Sequence, residues 1–338
     1  MTATATNRDP RVGLLRRYGT NPSGFLALNA GNTYFTEPGI DGFVAYQESG
    51  KWWIQFGGPV AAEDKRKDLL SAFFARARQQ RRRVIAVQLL REDAELQMGL
   101  GYRVNQFGMS FSMSLKSYTL RGQAFVKTRN MISRGYRDGL SVGELGVDVG
   151  SADIPDADRQ LDEIDASWLR NKGRFTKEIQ FFIGERTGEF QPMRRTFITH
   201  RDGQVLSYVS YSPVLGQRSG WMYDLTRRRP ENTRGAIEMT FAFAAGRMRE
   251  EQLDGWLHLG LTPFCGLDPG HELPSYHHGA AKVIKLLADH GQHLYPAATQ
   301  LAFKRKWRPE LETPEYLAFA GRLRPSAIWR LMKVANML

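Results

Sequence analysis

Cysteine is almost absent from the sequence: Cys265 is the single one in 338 residues, so no intrachain disulfide can form. A chain without disulfides suits a reducing compartment, and we expect the protein in the cytoplasm. No apolar run approaches the ~18 residues of a membrane-spanning helix. The N-terminal sequence MTATATNRDPRVG contains no apolar stretch typical of a signal peptide. Any lipid chemistry would therefore take place at a membrane surface.

Acidic residues are too few to balance the basic ones: 47 Lys and Arg oppose 35 Asp and Glu, which gives a net charge of +12. This excess favours a polyanionic partner, either nucleic acid or an anionic membrane, to whose inner face the protein would bind peripherally. The alternative is that the charge serves only to keep the protein in solution. Hydrophobic residues, at 42%, are enough for a sizeable core and exclude a disordered or fibrous chain.

The length predicts about two domains. Residues 1–20 are interpreted as a basic arm, residues 21–140 as a first module and residues 141–315 as a second. Both modules show the same order of predicted elements, which favours two copies of one α/β module joined by the Gly- and Asp-rich segment 140–153. Residues 316–338 predict a basic amphipathic C-terminal helix, which would either lie on an anionic membrane or dock on its own domain.

Short segments spread along the chain resemble one known family. In the first half these are Gly57-Gly58-Pro59-Val60 and the basic connector from Arg121 to Arg134. The segments of the second half, in chain order, are Ser167-Trp168-Leu169, Lys177-Glu178, Phe182-Ile183-Gly184, Tyr223-Asp224-Leu225-Thr226-Arg227, Gly235-Ala236-Ile237-Glu238, Leu257 to Gly266 and Phe303-Lys304-Arg305-Lys306-Trp307. Their order and spacing resemble the C-terminal catalytic domain of phosphatidylglycerol lysyltransferase, the multiple peptide resistance factor family. Glu238 and Arg305 stand where that family has Asp and Glu.

The resemblance implies a tandem of two modules of the GCN5-related acyltransferase (GNAT) type, each a mixed central sheet flanked by helices, with the active site in the second. Family members move an aminoacyl group from aminoacyl-tRNA to a hydroxyl of phosphatidylglycerol. Related stand-alone proteins use soluble acceptors, for example a hydroxylamine in the biosynthesis of azoxy natural products. Because no flippase region is seen, we expect by a small margin a soluble amine, hydroxylamine or hydroxyl acceptor, with a lipid as the alternative.

No cofactor is expected beside aminoacyl-tRNA, because the aminoacyl ester is already activated. Consistent with this, no G-x-x-x-x-G-K-S/T phosphate-binding loop occurs. A metal site is not predicted either. Cys265, His271, His277 and His278 lie close in sequence, but their spacing matches no usual zinc site. We interpret His258, in a predicted strand, as a core histidine.

Three residues of the second module are the catalytic candidates. Asp224 ends an apolar predicted strand, and Glu238 lies in the first turns of the next predicted helix. Two carboxylates that converge there would bind the ammonium of an aminoacyl ester, or one would act as a base. Arg227 would stabilise the oxyanion that forms on the ester carbonyl. The alternatives are an ion pair between Asp224 and Arg227, a favourable helix-end charge for Glu238 and a solvated Arg227.

Binding of tRNA depends mainly on phosphate contacts, which Lys and Arg clusters supply. The predicted tRNA-binding residues are Lys304, Arg305, Lys306, Arg308, Lys127, Arg129 and Arg134. The first three lie on a predicted closing strand, residues 301–307, and Arg194-Arg195 forms a further candidate cluster. For Trp307 and Trp221, which lie near such clusters, we expect a place in the core, with stacking on the terminal adenine as the alternative.

Two other classes of function compete with an aminoacyltransferase. An acyl-CoA N-acyltransferase would need an Arg/Gln-x-x-Gly-x-Gly/Ala loop before a helix, and the nearest match, Gln217-x-x-Gly220-x-Met222, fails at its last position. A non-catalytic binder of tRNA or of membranes is compatible with the charge alone. Turnover of charged tRNA distinguishes the binder from both enzymes.

Overall fold

The computed structural model describes residues 8–172, 181–230, 234–290 and 297–336. Within these ranges, eleven strands form one mixed sheet that nine α-helices flank. The strands are β1 (Thr33–Phe35), β2 (Gly42–Ser49), β3 (Trp52–Ala61), β4 (Arg83–Leu89), β5 (Tyr102–Ser114), β6 (Ser141–Glu144), β7 (Arg195–Arg201), β8 (Gln204–Val214), β9 (Gly220–Arg228), β10 (Trp256–Pro263) and β11 (Leu311–Ala320). The helices are α1 (Pro10–Tyr18), α2 (Glu63–Gln79), α3 (Arg91–Gly99), α4 (Val126–Arg137), α5 (Ala157–Lys172), α6 (Ala236–Glu251), α7 (His278–His290), α8 (Ala297–Lys306) and α9 (Pro325–Val334).

The strand order shows two related halves that exchange strands. The sheet runs β1-β2-β3-β4-β11-β5-β10-β9-β8-β7-β6. Each half contains one parallel pair, β3 with β4 in the first and β9 with β10 in the second. The antiparallel neighbour of each pair comes from the other half, since β11 pairs with β4 and β5 pairs with β10. The two halves therefore form one continuous sheet, and segment 140–153, predicted to be a linker, contains β6.

The prediction of a helix over residues 316–338 is wrong for residues 316–320, which form the end of β11. Tyr316 and Phe319 are buried at the middle of the sheet. A short apolar run without a polar face is typical of a strand that is covered on both sides. Residues 316–320 are such a run. The amphipathic helix begins only at Pro325.

Two further predictions of local structure are wrong. Residues 10–18 of the predicted basic arm form α1, which the Asp9 side chain caps and whose Val12 and Leu15 are buried; residues 1–7 lie outside the described ranges. Residues 301–306, predicted to be a strand, belong to helix α8. In both cases packing against the rest of the chain, which local pattern does not report, decides the structure.

One apolar core joins the halves. Phe25, Ile85, Phe181, Val214 and Ile284 belong to a single cluster of buried side chains although they lie far apart in sequence. The halves consequently pack as one body around the shared sheet. No helix in the described part of the chain has the length and hydropathy needed to cross a bilayer.

Candidate active site

A cleft opens where the parallel strands β9 and β10 separate. The strands pair only as far as Met222 and His258, and a bulge between His258 and Gly260 then turns β10 away. The cleft has a volume of about 560 Å³. Its ionisable lining includes Asp224, Arg227, Glu238 and Lys304. The three predicted catalytic residues are thus brought together, as the sequence indicated.

Asp224 lies on β9, two residues beyond the last residue that pairs with β10, and its side chain is half-buried in the cleft wall. The Gly184 backbone N–H donates to Oδ1, and the Ser212 hydroxyl donates to Oδ2 at 2.5 Å. Burial raises the pKa of the Asp224 carboxyl, and the positive charge of Arg194 opposes that rise. A Cβ on Gly184 would overlap the carboxylate, so the position beside Asp224 requires glycine. This gives a physical reason for the glycine of the Phe182-Ile183-Gly184 segment.

Arg194, placed with the tRNA-binding clusters from sequence, is instead the buried cation behind Asp224. Its side chain is fully buried, with Nε donating to Ser212 Oγ at 3.1 Å and Nη2 donating to Asn29 Oδ1 at 2.6 Å. Glu185 lies 3.8 Å from the guanidinium. Burial lowers the pKa of Arg194, and the nearby acids limit that effect. Asn29 comes from the first half, so both halves build the support of Asp224.

Arg227 is a buried arginine rather than a solvated one. It is 6% exposed, and its guanidinium lies 3.7 Å from the centre of the Trp168 ring. Asp165 Oδ1 lies 3.9 Å from Nε, and the Tyr208 hydroxyl donates to the same carboxylate. An arginine held by an aromatic face and a carboxylate is fixed in orientation, which suits a group that must stabilise charge in the cleft.

Glu238 lies in the first turn of α6, where a negative charge is favourable. It is 8% exposed and accepts a hydrogen bond from Lys306 Nζ at 2.6 Å. Lys306 is partly exposed and already has a carboxylate partner, which a tRNA phosphate would have to displace. The helix begins after Gly235, whose positive φ of 86° brings its backbone against the Met131 carbonyl of α4.

Lys304, which the sequence predicted to contact tRNA, is instead a buried lysine of the cleft. It is 4% exposed, and Nζ donates to the carbonyls of Gly260 at 2.8 Å and Leu261 at 3.0 Å. Both carbonyls belong to β10 just beyond its bulge. Burial lowers the pKa of Lys304 to about 7. The prediction of a surface contact with tRNA phosphate is wrong, because the amine lies inside the cleft.

The remaining predicted residues near the C-terminal end of α8 are at the surface. Arg305 is exposed and its guanidinium lies 3.3 Å from a Glu312 carboxylate oxygen. Arg308 is exposed in the turn before β11. Arg305 therefore has a surface partner that a phosphate would have to displace.

The predicted residues of α4 differ in their availability. Lys127 is exposed. Arg129 donates to the carbonyls of Leu120 and Gly122, which holds the loop before the helix. Arg134 lies 3.5 Å from Asp138 in an exposed i,i+4 pair. Contacts of that kind contribute little, so Arg134 can exchange its partner, whereas Arg129 has a structural task.

Several aromatic and histidine side chains lie in the core. His258 is buried between the Ser112 hydroxyl and the Arg218 carbonyl, each at 2.8 Å, and burial lowers its pKa to about 4. This confirms a core histidine. Trp307 is buried with its ring 3.9 Å from that of Phe241, so it lies in the core and is not available for stacking on tRNA. Among the described residues, no group of three or more His, Cys, Asp or Glu side chains could hold a metal ion.

An apolar cavity of about 140 Å³ adjoins the cleft. Phe182, Ile183 and Leu261 line both spaces. Helices α7 and α9 close the other side of the cavity with Ile284 and Leu331. A ligand in the charged cleft therefore has an apolar space beside it.

The separated parallel strands and the cleft between them define the class, an α/β fold in which helices flank one large mixed sheet of two related halves, which confirms the expected fold. The chain belongs to the phosphatidylglycerol lysyltransferase C-terminal family, whose sequence model matches residues 12–319. This is a family of aminoacyltransferases. Of the segments that suggested it, Lys177-Glu178 lies outside the described residues.

Solved structures share this fold. The C-terminal domain assigned to a lysylphosphatidylglycerol synthetase of Agrobacterium fabrum is 22% identical with a TM-score of 0.75, covering 98% of this chain and 96% of that one. L-PGS from Bacillus licheniformis is 19% identical with a TM-score of 0.74, covering 97% of each chain. An uncharacterized protein of Corynebacterium glutamicum is 21% identical over 304 residues, which is 88% of this chain. The chain spans 37% of the length of that relative.

Proposed function

We propose that the protein is an aminoacyltransferase that takes its aminoacyl group from aminoacyl-tRNA. The observation that carries this proposal is the set of charges in one cleft: the Asp224 carboxylate, the Arg227 guanidinium and the Lys304 amine. An aminoacyl ester presents an ammonium beside a carbonyl that becomes negative during transfer. The cleft offers a group of matching charge to each. Charged tRNA as donor would place the reaction in the cytoplasm.

The donor end is assigned to Asp224, with Glu238 beside it. Hydrogen bonds from Gly184 and Ser212 fix the Asp224 carboxylate before substrate arrives, which limits the cost of ordering. Its burial raises the pKa, so an incoming ammonium supplies charge compensation there. Glu238 already accepts from Lys306 and contributes a second, partly neutralised charge. Arg227, held against Trp168, meets the developing oxyanion.

Lys304 is suited to move the proton. A neutral amine has two hydrogens, and the carbonyls of Gly260 and Leu261 accept both, which leaves the lone pair for the acceptor. The acceptor O–H or N–H gives its proton to Nζ while its oxygen or nitrogen bonds to the ester carbonyl carbon. The tetrahedral intermediate then collapses, the bond to the terminal ribose oxygen breaks, and that oxygen takes the proton from Nζ. A pKa near 7 suits both steps.

For the acceptor, a soluble amine, hydroxylamine or hydroxyl compound remains our first proposal. A lipid acceptor at an anionic membrane is the second, and specific observations favour it. The apolar cavity beside the cleft offers room for part of an acyl chain. Helix α9, which covers that cavity, exposes 57% of Trp329 together with the basic Lys333, and Arg330 beside them is half-buried. Basic helices with exposed tryptophan bind anionic bilayers.

Single-turnover transfer from pre-charged tRNA tests the proposal. Each aminoacyl-tRNA is offered with a panel of amines and hydroxylamines, and separately with phosphatidylglycerol vesicles. Asp224→Asn is expected to lower the transfer rate by ~10²–10³ while the tRNA dissociation constant hardly changes, because remote phosphates hold the tRNA. Asp254→Asn, at an exposed aspartate, is the matched control. A near wild-type rate in folded Asp224→Asn removes this residue from the site, and use of acyl-CoA in place of charged tRNA refutes the donor.

A further inference from the structure

The apolar cavity beside the cleft has a lining made almost entirely of hydrocarbon side chains. Gln88 is the one polar residue among the described residues that line it. Ile85 and Leu317 belong to the neighbouring strands β4 and β11, and they form one side. Ile284 and Leu331 come from the covering helices α7 and α9, and all four apolar side chains are buried. Such a space disfavours ions and hydrated groups, so its occupant should be apolar.

The cavity shares a wall with the cleft next to the proposed base. Phe182, Ile183 and Leu261 line both spaces. The backbone carbonyl of Leu261 accepts a hydrogen bond from Lys304 Nζ at 3.0 Å. The same residue therefore contacts the amine that would take the proton of the acceptor and also lines the apolar space. An acceptor whose nucleophilic group lies at Lys304 has the cavity within reach of its neighbouring carbon atoms.

Gln88 offers an unused hydrogen-bond acceptor in this wall. The residue is buried, and its Nε2 donates to the Phe182 carbonyl at 3.3 Å. Its Oε1 has no hydrogen-bonding partner among the residues that the structure describes. Buried amide oxygens normally have a partner, because an unpaired one loses its hydration without compensation. The wall therefore favours a ligand that carries an O–H or N–H beside its apolar group.

The volume of the cavity limits the size of its occupant. At about 140 Å³ it is close to the ~150 Å³ of an engineered cavity lined by Leu, Ile and Phe, which stays dry and binds benzene. By that comparison it holds an apolar group of about six carbon atoms. The acyl chain of a membrane lipid is much longer, so most of it would remain outside. A short hydrocarbon group fits as a whole.

We propose that the acceptor is a soluble amine, hydroxylamine or alcohol with a short apolar group of up to about six carbon atoms, and that the cavity binds this group. The proposal rests on the proposed aminoacyltransferase function and specifies its acceptor. The apolar group anchors the acceptor, while Lys304 takes the proton of its O–H or N–H as described above. Each methylene group that enters the cavity leaves water, which is expected to raise the affinity about fourfold.

Binding of straight-chain alcohols to the free protein tests the cavity without any transfer. The probes run from ethanol to decanol. The δ1-methyl resonance of Ile284, identified by its loss in Ile284→Val, reports occupancy in ¹³C-methyl spectra. We expect the affinity to rise about fourfold with each carbon atom up to about hexanol and then to level. An affinity that keeps rising to decanol, or an Ile284 resonance that does not respond, overturns the proposal.

Leu331→Trp reduces the space and is the variant that tests its size. The larger side chain should weaken the binding of hexanol by about tenfold or more, because part of the chain no longer enters. Leu286→Trp is the matched control, since it makes the same substitution at an exposed leucine of α7 that is not among the lining residues. It should leave the affinity unchanged. If Leu331→Trp does not fold, the chain-length series with the wild-type protein decides alone.

The transfer assay separates this inference from the proposed function. With straight-chain amines and hydroxylamines, kcat/KM should show the same limit of chain length as alcohol binding. Equal kcat/KM for all chain lengths, or transfer to phosphatidylglycerol vesicles alone, overturns this inference and leaves the aminoacyltransferase standing. Alcohol binding in a protein that transfers nothing from any charged tRNA overturns the acceptor and the aminoacyltransferase together, and leaves only an apolar ligand site.

Discussion

At the scale of single residues, the ammonium form of Lys304 is destabilised by its surroundings. Its amine is buried, and two carbonyl dipoles compensate the ammonium only in part. The protein therefore binds fewer protons when folded than when unfolded between pH ~7 and ~10.4, and stability rises with pH across that window. Such a group is unfavourable for folding, which is typical of residues kept for chemistry.

A prediction for transfer follows from the lowered pKa of Lys304. If the neutral amine is the base, the rate rises as pH increases towards 7 and levels above it, because the neutral fraction grows and then saturates. Lys304→Met should cost ~10²–10⁴ in rate without loss of stability, since an apolar side chain suits the buried site. The rate is measured in single turnovers between about pH 5.5 and 8.5, the range in which such a base titrates. Denaturant melts measure the stability.

Controls decide between two roles for this amine. Lys282→Met, at an exposed lysine of α7, should leave the rate unchanged. Lys304→Arg keeps a positive charge that cannot be removed near neutral pH. Full activity in Lys304→Arg would contradict the base and make the group an electrostatic stabiliser instead.

The sequence predicted which residues form the site, but not whether each side chain is buried or exposed. Asp224, Arg227 and Glu238 were predicted to share one site and do line one cleft. Lys304 was assigned to a surface cluster because a run of basic residues looks the same whether an amine is solvated or buried. Arg194 acts behind Asp224 through Ser212, and nothing in its local sequence distinguishes it from a solvent-exposed arginine. Only the contacts across the sheet reveal its role.

At the scale of elements, the site depends on the point where β9 and β10 part. The bulge after His258 presents two carbonyls to Lys304, and the segment ending at Gly184 covers Asp224. The sequence predicted both strands but not the bulge, because one extra residue leaves no mark on hydrophobic periodicity. Geometry of this kind therefore has to be seen rather than inferred from pattern.

Gly184→Ala tests how tightly that cover fits. The added methyl group would overlap the Asp224 carboxylate, so either the carboxylate or the segment must move. The transfer rate should fall by ~10²–10³, as for loss of a preorganised charge, with a smaller change in overall stability. Gly246→Ala in α6 is the control, because a Cβ there meets nothing within 4 Å and alanine favours a helix. Equal activity of the two variants would show that Asp224 needs no such support.

At the scale of the whole molecule, the exchange of β5 and β11 makes each half incomplete without the other. Composition and element order predicted two related α/β halves, which the strand order confirms. They did not predict that β11 would lie between β4 and β5, because pairing across more than two hundred residues leaves no local signal. This exchange places residues of both halves around one cleft. The cleft therefore forms only when both halves have folded together.

The surface for tRNA also belongs to this scale, and Lys127 and Arg308 of the predicted set offer the most direct test. Both are exposed, and both flank the segment after β5, where Ser117 bonds Glu310 and Arg129 holds Leu120. Replacing both by alanine should weaken tRNA binding and reduce the slope of log affinity against log salt by about two. Filter binding between 50 and 300 mM salt, about the range in which phosphate contacts respond, measures this slope.

A charge-matched control separates a defined surface from the general charge of +12. Lys65 and Lys67 are exposed on α2 in the first half, and their double alanine variant removes the same two charges. If that variant weakens binding as much as the Lys127 and Arg308 change, affinity comes from net charge and no surface is assigned. If only the change of Lys127 and Arg308 alters the salt slope, tRNA lies along α4 and the turn before β11, beside the cleft that holds Asp224 and Lys304. The terminal aminoacyl ester then has a short path from the phosphate contacts to the reacting groups.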